Sequence, residues 1–184
     1  MASPMRPLVV EVDGRTWRGY VDRSAEWLET ATLLQATYRK LLEDTVEEVA
    51  DPRLRDRIGD LIESARRHEA LINELYVAFS EDELPPSEVR ASMLARTREV
   101  VARVEGLAAG ARGGDWRNVR ELTLTNLDST NGFAVIEQLA LAMGLPAVVD
   151  LVQPVIAEKT RHQLALREYL LEAAPKAVLY RPDG

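Results

Sequence analysis

From Ser24 onward the apolar residues of this chain recur at alternating steps of three and four, in several long runs that each leave one stripe to be covered by another element. In the first run Leu28, Ala31, Gln35, Tyr38, Leu42, Thr45 and Val49 share a face. Asp51-Pro52 closes it and opens the second, with Asp51 as N-cap and Pro52 at the first helical position. The second run carries Leu54, Ile58, Leu61, Ala65, His68, Ile72, Leu75 and Phe79, and His68 is its only polar member. Ser80 to Ser87, with Pro85-Pro86, reads as a loop, after which Ser87 caps a shorter crossover helix ending near Ala109. A helix from about Asp115 aligns Val119, Leu122, Asn126, Ser129, Phe133, Ile136, Ala140 and Met143, then stops at Gly144-Leu145-Pro146. The last helix, from Pro146 to about Ala173, carries Val148, Val152, Val155, Lys159, His162, Leu166 and Tyr169. Pro154 inside it predicts a kink near Asp150, because the ring clashes with the carbonyl four residues back. The pattern predicts an all-α fold, a four-helix bundle with an additional crossover helix.

The start of the chain reads differently. Leu8 to Val12 and Thr16 to Val21 are rich in β-branched and aromatic residues and flank Asp13-Gly14, which predicts a short N-terminal β-hairpin. A lone hairpin is marginal in water, so this one is expected to pack on the bundle or on a second subunit. The predicted organisation is a 1–22 extension with the hairpin, a 23–174 helical bundle and a 175–184 tail.

Composition narrows the function classes. At 184 residues the chain suits one domain with a real core, and without cysteine it has no disulfide, zinc ribbon or thiolate catalysis. A net charge of −7 argues against a nucleic-acid or anionic-membrane partner. No stretch approaches the roughly 20 apolar residues of a membrane span, and the first dozen residues lack a signal-peptide pattern, so a cytoplasmic location is expected. With two histidines, His68 and His162, a histidine-rich metal site cannot be built.

Chemistry, if present, lies where polar residues interrupt the seams. A di-iron carboxylate bundle needs one glutamate from each of two helices and a Glu-x-x-His pair from each of the others, since the three-residue step puts both ligands on one face. Three positions before His68 and His162 stand Ala65 and Lys159, and the inward central positions elsewhere are Ala31, Gln35, Asn126 and Ser129. Hard iron or manganese wants several anionic oxygens. The predicted core offers uncharged oxygens and a cation.

The helix order, the loop before Ser87, the crossover helix, Gly113-Gly114-Asp115 and the Gly144-Leu145 break before an acidic, leucine- and valine-rich last helix resemble the YciF-like ferritin-like proteins of bacteria, a stress-associated family. The resemblance covers roughly Arg23 to Ala174. It implies carboxylates near Asn126 and Ser129, a tyrosine where Phe133 stands, a glutamate shortly before His68 and paired acids on the last helix. Ser64 and Ala65 occupy the place of that glutamate, with Glu63 one step away, and Lys159 replaces the neighbour of Glu158. The fold therefore carries over with a degenerate metal site.

Each interruption has a plain reading and a sharper one. A buried His68 is satisfied by Tyr38 or another core polar group, or is a ligand. Lys159 lies at the seam edge with its amine in water, or its ammonium replaces a metal's charge and pairs with Glu158, Glu137 or Asp128. Asn126 and Ser129 bond neighbouring carbonyls, or join Gln35, Tyr38, His68, Lys159 and His162 in a core pocket. Three functions follow. The favoured one is a homo-oligomer, a dimer, that holds no metal or other cofactor and acts through assembly or partner binding, with Trp17 and Tyr20 at the interface. The second is an iron or manganese protein using Glu29, Glu63, His68, Glu137, Glu158 and His162 as an atypical site. The third is a metal-free enzyme or small-molecule-binding protein in which Lys159 and the two histidines supply acid, base or a cationic clamp.

Overall fold

The computed structural model describes residues 12–79 and 114–179, and among them every regular element is helical. The helices are α1 (Gly14–Glu48), α2 (Pro52–Phe79), α3 (Gly114–Met143) and α4 (Pro146–Leu179). The predicted crossover helix lies outside the described residues. Among those described, no helix is long and apolar enough to cross a membrane.

Thr16 to Val21 are not a strand: they form the opening turns of α1. Asp13 accepts hydrogen bonds from the backbone N–H of Arg15 at 2.9 Å and Thr16 at 3.0 Å, satisfying donors that a helix start leaves orphaned. An Asp-Gly pair serves a helix start as readily as a hairpin turn. The helical reading prevails because Ser24 and Trp27 are needed against α3: Ser24 is buried, and the Trp27 indole donates to the Gly132 carbonyl at 3.2 Å. α1 therefore runs unbroken through residues 22 and 23, and the other half of the predicted hairpin, up to residue 11, lies outside the described residues.

The remaining boundaries follow from local chemistry. Asp51 caps α2 by accepting from Arg53 N at 2.8 Å. α3 ends where Gly144 takes φ +71, a conformation that costs glycine nothing, with Leu145 N bonding Ala140 O at 2.9 Å and Gly144 N bonding Leu141 O at 3.2 Å. α4 runs past Ala173 to Leu179, so residues 175–179 of the predicted tail are helical. Its two prolines, Pro154 and Pro175, are exposed, so water can take the carbonyls their rings displace.

The helices close into a ring, α1 against α2 and α3, α3 against α4, and α2 more lightly against α4. Two apolar clusters fill it. One joins Leu28 of α1, Leu75 and Phe79 of α2, Ile136 and Ala140 of α3 and Val148 and Val152 of α4. The other joins Tyr38 and Leu42, Leu54 and Ile58, Val119 and Leu122, and Leu166. The early part of α1 thus lies beside the late parts of α2 and α3 and the early part of α4. The directions are up, down, down, up. Between the clusters, at mid-depth, sits a layer of buried polar side chains that includes Gln35, His68, Asn126, Ser129 and Lys159.

Candidate functional site

The middle of that layer is Lys159. Seven residues from Val152 and Val155's neighbour on the same inward stripe of α4, its side chain has no solvent exposure. Its Nζ donates to Gln35 Oε1 at 2.9 Å and lies 4.3 Å from the centroid of the Tyr38 ring. Gln35 is held from all sides. Its Oε1 also accepts from Ser129 Oγ at 2.8 Å, and its Nε2 donates to the Ala65 carbonyl at 2.9 Å. Asn126 fixes the α4 backbone here, donating from Nδ2 to the Lys159 carbonyl at 3.1 Å and to Gln163 Oε1 at 2.7 Å. Burial pulls the Lys159 amine down to about 7, against the charge of Glu158 that favours the ammonium.

Lys159 therefore does not reach water. Nor does it hydrogen-bond an acid among the described residues: its acceptor is the neutral amide of Gln35, reinforced by the negative face of the Tyr38 ring. The α4 stripe points the lysine directly inward, where its four-carbon stem cannot bend back to the surface.

A second group, between α2 and α4, centres on Glu158. His68 Nε2 lies 2.9 Å from Glu158 Oε2, and Ser64 Oγ and Arg67 each donate to Oε1 at 2.9 Å. His162 Nε2 is 3.8 Å from the same Oε1. Burial raises the Glu158 carboxyl, but the hydrogen bonds from His68 and Ser64 and the charges of His68 and Arg67 outweigh it and hold the group at about 2. Burial lowers His68, and it lowers His162 to about 4, the carboxylate opposing it in both. At neutral pH the group is thus a carboxylate with two neutral imidazoles, and His68 donates through Nε2. The partner of His68 is Glu158 rather than Tyr38, which turns its ring face to Lys159.

No family model, no curated protein and no solved structure matches this chain. What it does has to be read from these side chains alone.

Of the core residues singled out in the sequence, Gln35, Tyr38, Ser129 and Lys159 meet around one amine, and Asn126 braces the lysine's backbone. His68 and His162 join the Glu158 group instead. Of the six residues of the iron or manganese alternative, Glu158, His68 and His162 converge. Glu63 is exposed and paired with Arg66 at 3.0 Å, while Glu29 and Glu137 are half-buried on α1 and α3. Among the described residues no group of three or more His, Asp or Glu is placed to hold an ion. The carboxylate oxygens near the histidines are already taken up by Ser64, Arg67 and His68. Among the described residues the donor set does not fit a di-iron centre.

Sequence reasoning missed Ser64, Arg67 and Gln163. The signal was present, since Ser64 and His68, like Glu158 and His162, are four residues apart and share a helix face. A cleft of about 840 Å³ opens elsewhere, at the end of the ring, lined by Asp51, Asp115, Trp116, Tyr169 and Lys176 among others. There Asp115 accepts from Ala50 N at 3.2 Å and Asp51 N at 3.1 Å, and Tyr169 donates to Asp51 Oδ2 at 2.9 Å. These bonds tie the α1–α2 turn to α3 and α4, a structural role.

Proposed function

We propose that this chain is a ferritin-like helical bundle with a lysine ammonium at the depth where such bundles hold metal, and that it acts by assembling with a second copy rather than by catalysis. The up, down, down, up order of its helices supports the fold, since it is the order of a bundle with one long connection between its second and third long helices. The observation that carries the metal-free reading is the fully buried Lys159 amine bonded to Gln35. The amine fills that depth and, in its protonated form, opposes entry of another cation, and among the described residues a hard divalent ion finds in the layer one carboxylate, already paired. The test is elemental analysis of protein produced in medium supplemented with iron and manganese. The expected content is below about one ion per several chains. Two ions per chain would overturn the proposal.

A second reading, a small-molecule site with Lys159, His68 and His162 as acid, base or cationic clamp, is favoured by three buried atoms that have no hydrogen-bond partner among the described residues: Tyr38 Oη, His68 Nδ1 and Asn126 Oδ1. A thermal-shift screen of small carboxylic acids separates the two. Compounds that raise the melting temperature of the native chain but not of Lys159→Ala would favour the site.

A further inference from the structure

We infer that Lys159 is a carbonyl-binding site whose amine condenses reversibly with a small uncharged hydroxyaldehyde, an inference that rests on the small-molecule reading above and names its ligand class. The chain has three lysines. Lys40 is partly exposed and paired with Asp44 at 2.6 Å, and Lys176 is exposed, so Lys159 alone is fully buried. A hydrated surface ammonium has no lone pair to give, whereas a desolvated lysine does. No carboxylate among the described residues hydrogen-bonds Nζ to hold its proton, since its contacts are the Gln35 amide oxygen and the Tyr38 ring. Burial, which draws the amine to about 7, leaves it neutral on about half of the chains at neutral pH.

The class of ligand follows from the orphaned atoms. Tyr38 Oη, His68 Nδ1 and Asn126 Oδ1 have no hydrogen-bond partner among the described residues, on side chains that are 1%, 4% and 0% exposed. All three belong to residues that touch Lys159 or its neighbour: the Tyr38 ring faces Nζ, Asn126 bonds the Lys159 carbonyl and His68 bonds Glu158. His68 gives its Nε2 proton to Glu158, so Nδ1 carries a lone pair. Asn126 spends its amide nitrogen on Lys159 and Gln163, which fixes Oδ1 as an acceptor. Two orphaned acceptors and one hydroxyl call for hydrogen-bond donors on the ligand. A hydroxyl meets that need, whereas a carboxylate would bring further acceptors and a second buried charge.

The step balances without an oxidant or a cofactor. The Nζ lone pair forms a bond to the aldehyde carbon while the C=O π pair moves onto oxygen, and the nitrogen passes one proton to that oxygen, giving a carbinolamine. The new hydroxyl then leaves with the second amine proton as water, and the C=N bond closes. Protonation of the imine restores an N–H for Gln35 Oε1, beside which the lysine nitrogen already stands at 2.9 Å. Entry is by the seam between α2 and α4, which pack more lightly than the other neighbours in the ring. Glu158 and His162 line that seam with side chains 26% and 14% exposed, and a ligand of two or three carbons is small enough to pass as the seam opens transiently.

The test is trapping of the imine in the full native chain at neutral pH. Glycolaldehyde, acetaldehyde or glyoxylate is added with cyanoborohydride, which delivers hydride to the iminium carbon and fixes it as a secondary amine. Peptide mass mapping then reads the adduct at each of the three lysines, with exposed Lys176 as the reference for intrinsic reactivity. The ratio of Lys159 to Lys176 labelling is expected to be about ten or more with glycolaldehyde, and at least about fivefold lower with acetaldehyde, which lacks the hydroxyl, and with glyoxylate, which carries a carboxylate. A glycolaldehyde ratio below about ten, with Lys159 labelled freely only in urea, overturns the inference. A high ratio shared by all three aldehydes overturns the ligand class. Should trapping fail while small carboxylic acids still raise the melting temperature of the native chain but not of Lys159→Ala, the small-molecule reading stands without the imine. Failure of both measurements removes that reading as well.

Discussion

An ammonium held away from water needs dipoles to replace its hydration, and Lys159 has a neutral amide oxygen and an aromatic face where a carboxylate would be stronger. The cost is visible as an amine lowered to about 7 from an ordinary 10.5. Its sign in stability is definite. The unfolded chain keeps this proton up to about 10.5 while the folded chain releases it near 7, so between about pH 8 and 9.5 the unfolded state binds one proton more. Stability then rises with pH, by about 1.4 kcal/mol per unit. Above that window Tyr38, raised by burial, and Tyr169, raised to about 12, act in the opposite direction. Lys159→Met, which keeps the stem and removes the charge, is expected to flatten the slope. Urea unfolding at half-unit pH intervals measures it. A slope unchanged in Lys159→Met would place the titration elsewhere. Glu158 gives a prediction of the other sign. Its carboxyl is held at about 2 against an ordinary 4.5, so its contribution is complete above about pH 4.5 and is lost as pH falls toward 2. Glu158→Ala leaves His68 Nε2 without its acceptor and is expected to cost about 2 kcal/mol at pH 7. Glu158→Gln, which keeps an acceptor oxygen, is expected to cost about half as much and to lose the acid dependence. Equal costs at pH 7 would mean that the hydrogen bond to His68 contributes nothing.

At the scale of the helix, α3 comes close to α1 at Gly132. A Cβ there would stand 3.3 Å from Leu34 Cδ1, the flexible end of a side chain, and 3.4 Å from the Ala31 Cα, an ordinary contact, so a Cβ alone fits and it is the further methyl groups of a larger side chain that meet the α1 backbone. Gly132→Val is therefore expected to push α1 from α3 and to cost about 2–3 kcal/mol, a fall of roughly 5–10 °C in melting temperature for a chain of this size. A melting temperature within a degree of the native one would show that the contact gives. Such close contacts could not be read beforehand, because a glycine in a helical run signals only local weakness. The seams, by contrast, were legible, since Leu28 to Val49 and Leu54 to Phe79 repeat at the helical period and are the residues the structure buries. The start of α1 was misread because local turn chemistry at Asp13-Gly14 was weighed above the three- and four-residue steps linking Trp17, Tyr20, Ser24 and Trp27. The polar layer was legible as a set of interruptions. Its division into a Lys159 group and a Glu158 group was not, because adjacent residues on α4 face different helices, Lys159 toward Gln35 of α1 and Glu158 toward His68 of α2. Only the rotation of α4 within the ring decides that.

For the molecule as a whole, the order of directions can be tested by the reach of the chain. Phe79 belongs to the apolar cluster at one end of the ring, whereas Asp115 binds the Ala50 and Asp51 amides at the other. The end of α2 and the beginning of α3 are thus separated by about the length of a helix, roughly 40 Å for some 28 residues at 1.5 Å each. An extended chain covers at most 3.3–3.6 Å per residue, so about a dozen residues are the minimum that can join them. Had α3 started beside Phe79, as in an up, down, up, down ring, four or five would have served. Replacing residues 80–113 with flexible Gly/Ser linkers of decreasing length therefore distinguishes the two orders. Linkers of about 20 residues are expected to preserve the hydrogen bond of His68 to Glu158 and the helical content. Linkers of about six cannot span the gap, so those chains must exchange α3 and α4 between copies or lose the ring. The measurements are sedimentation mass and urea unfolding across the series. A monomolecular, cooperatively folded chain with a six-residue linker would show that α2 and α3 run in opposite directions, and with that the proposed ferritin-like order would fall.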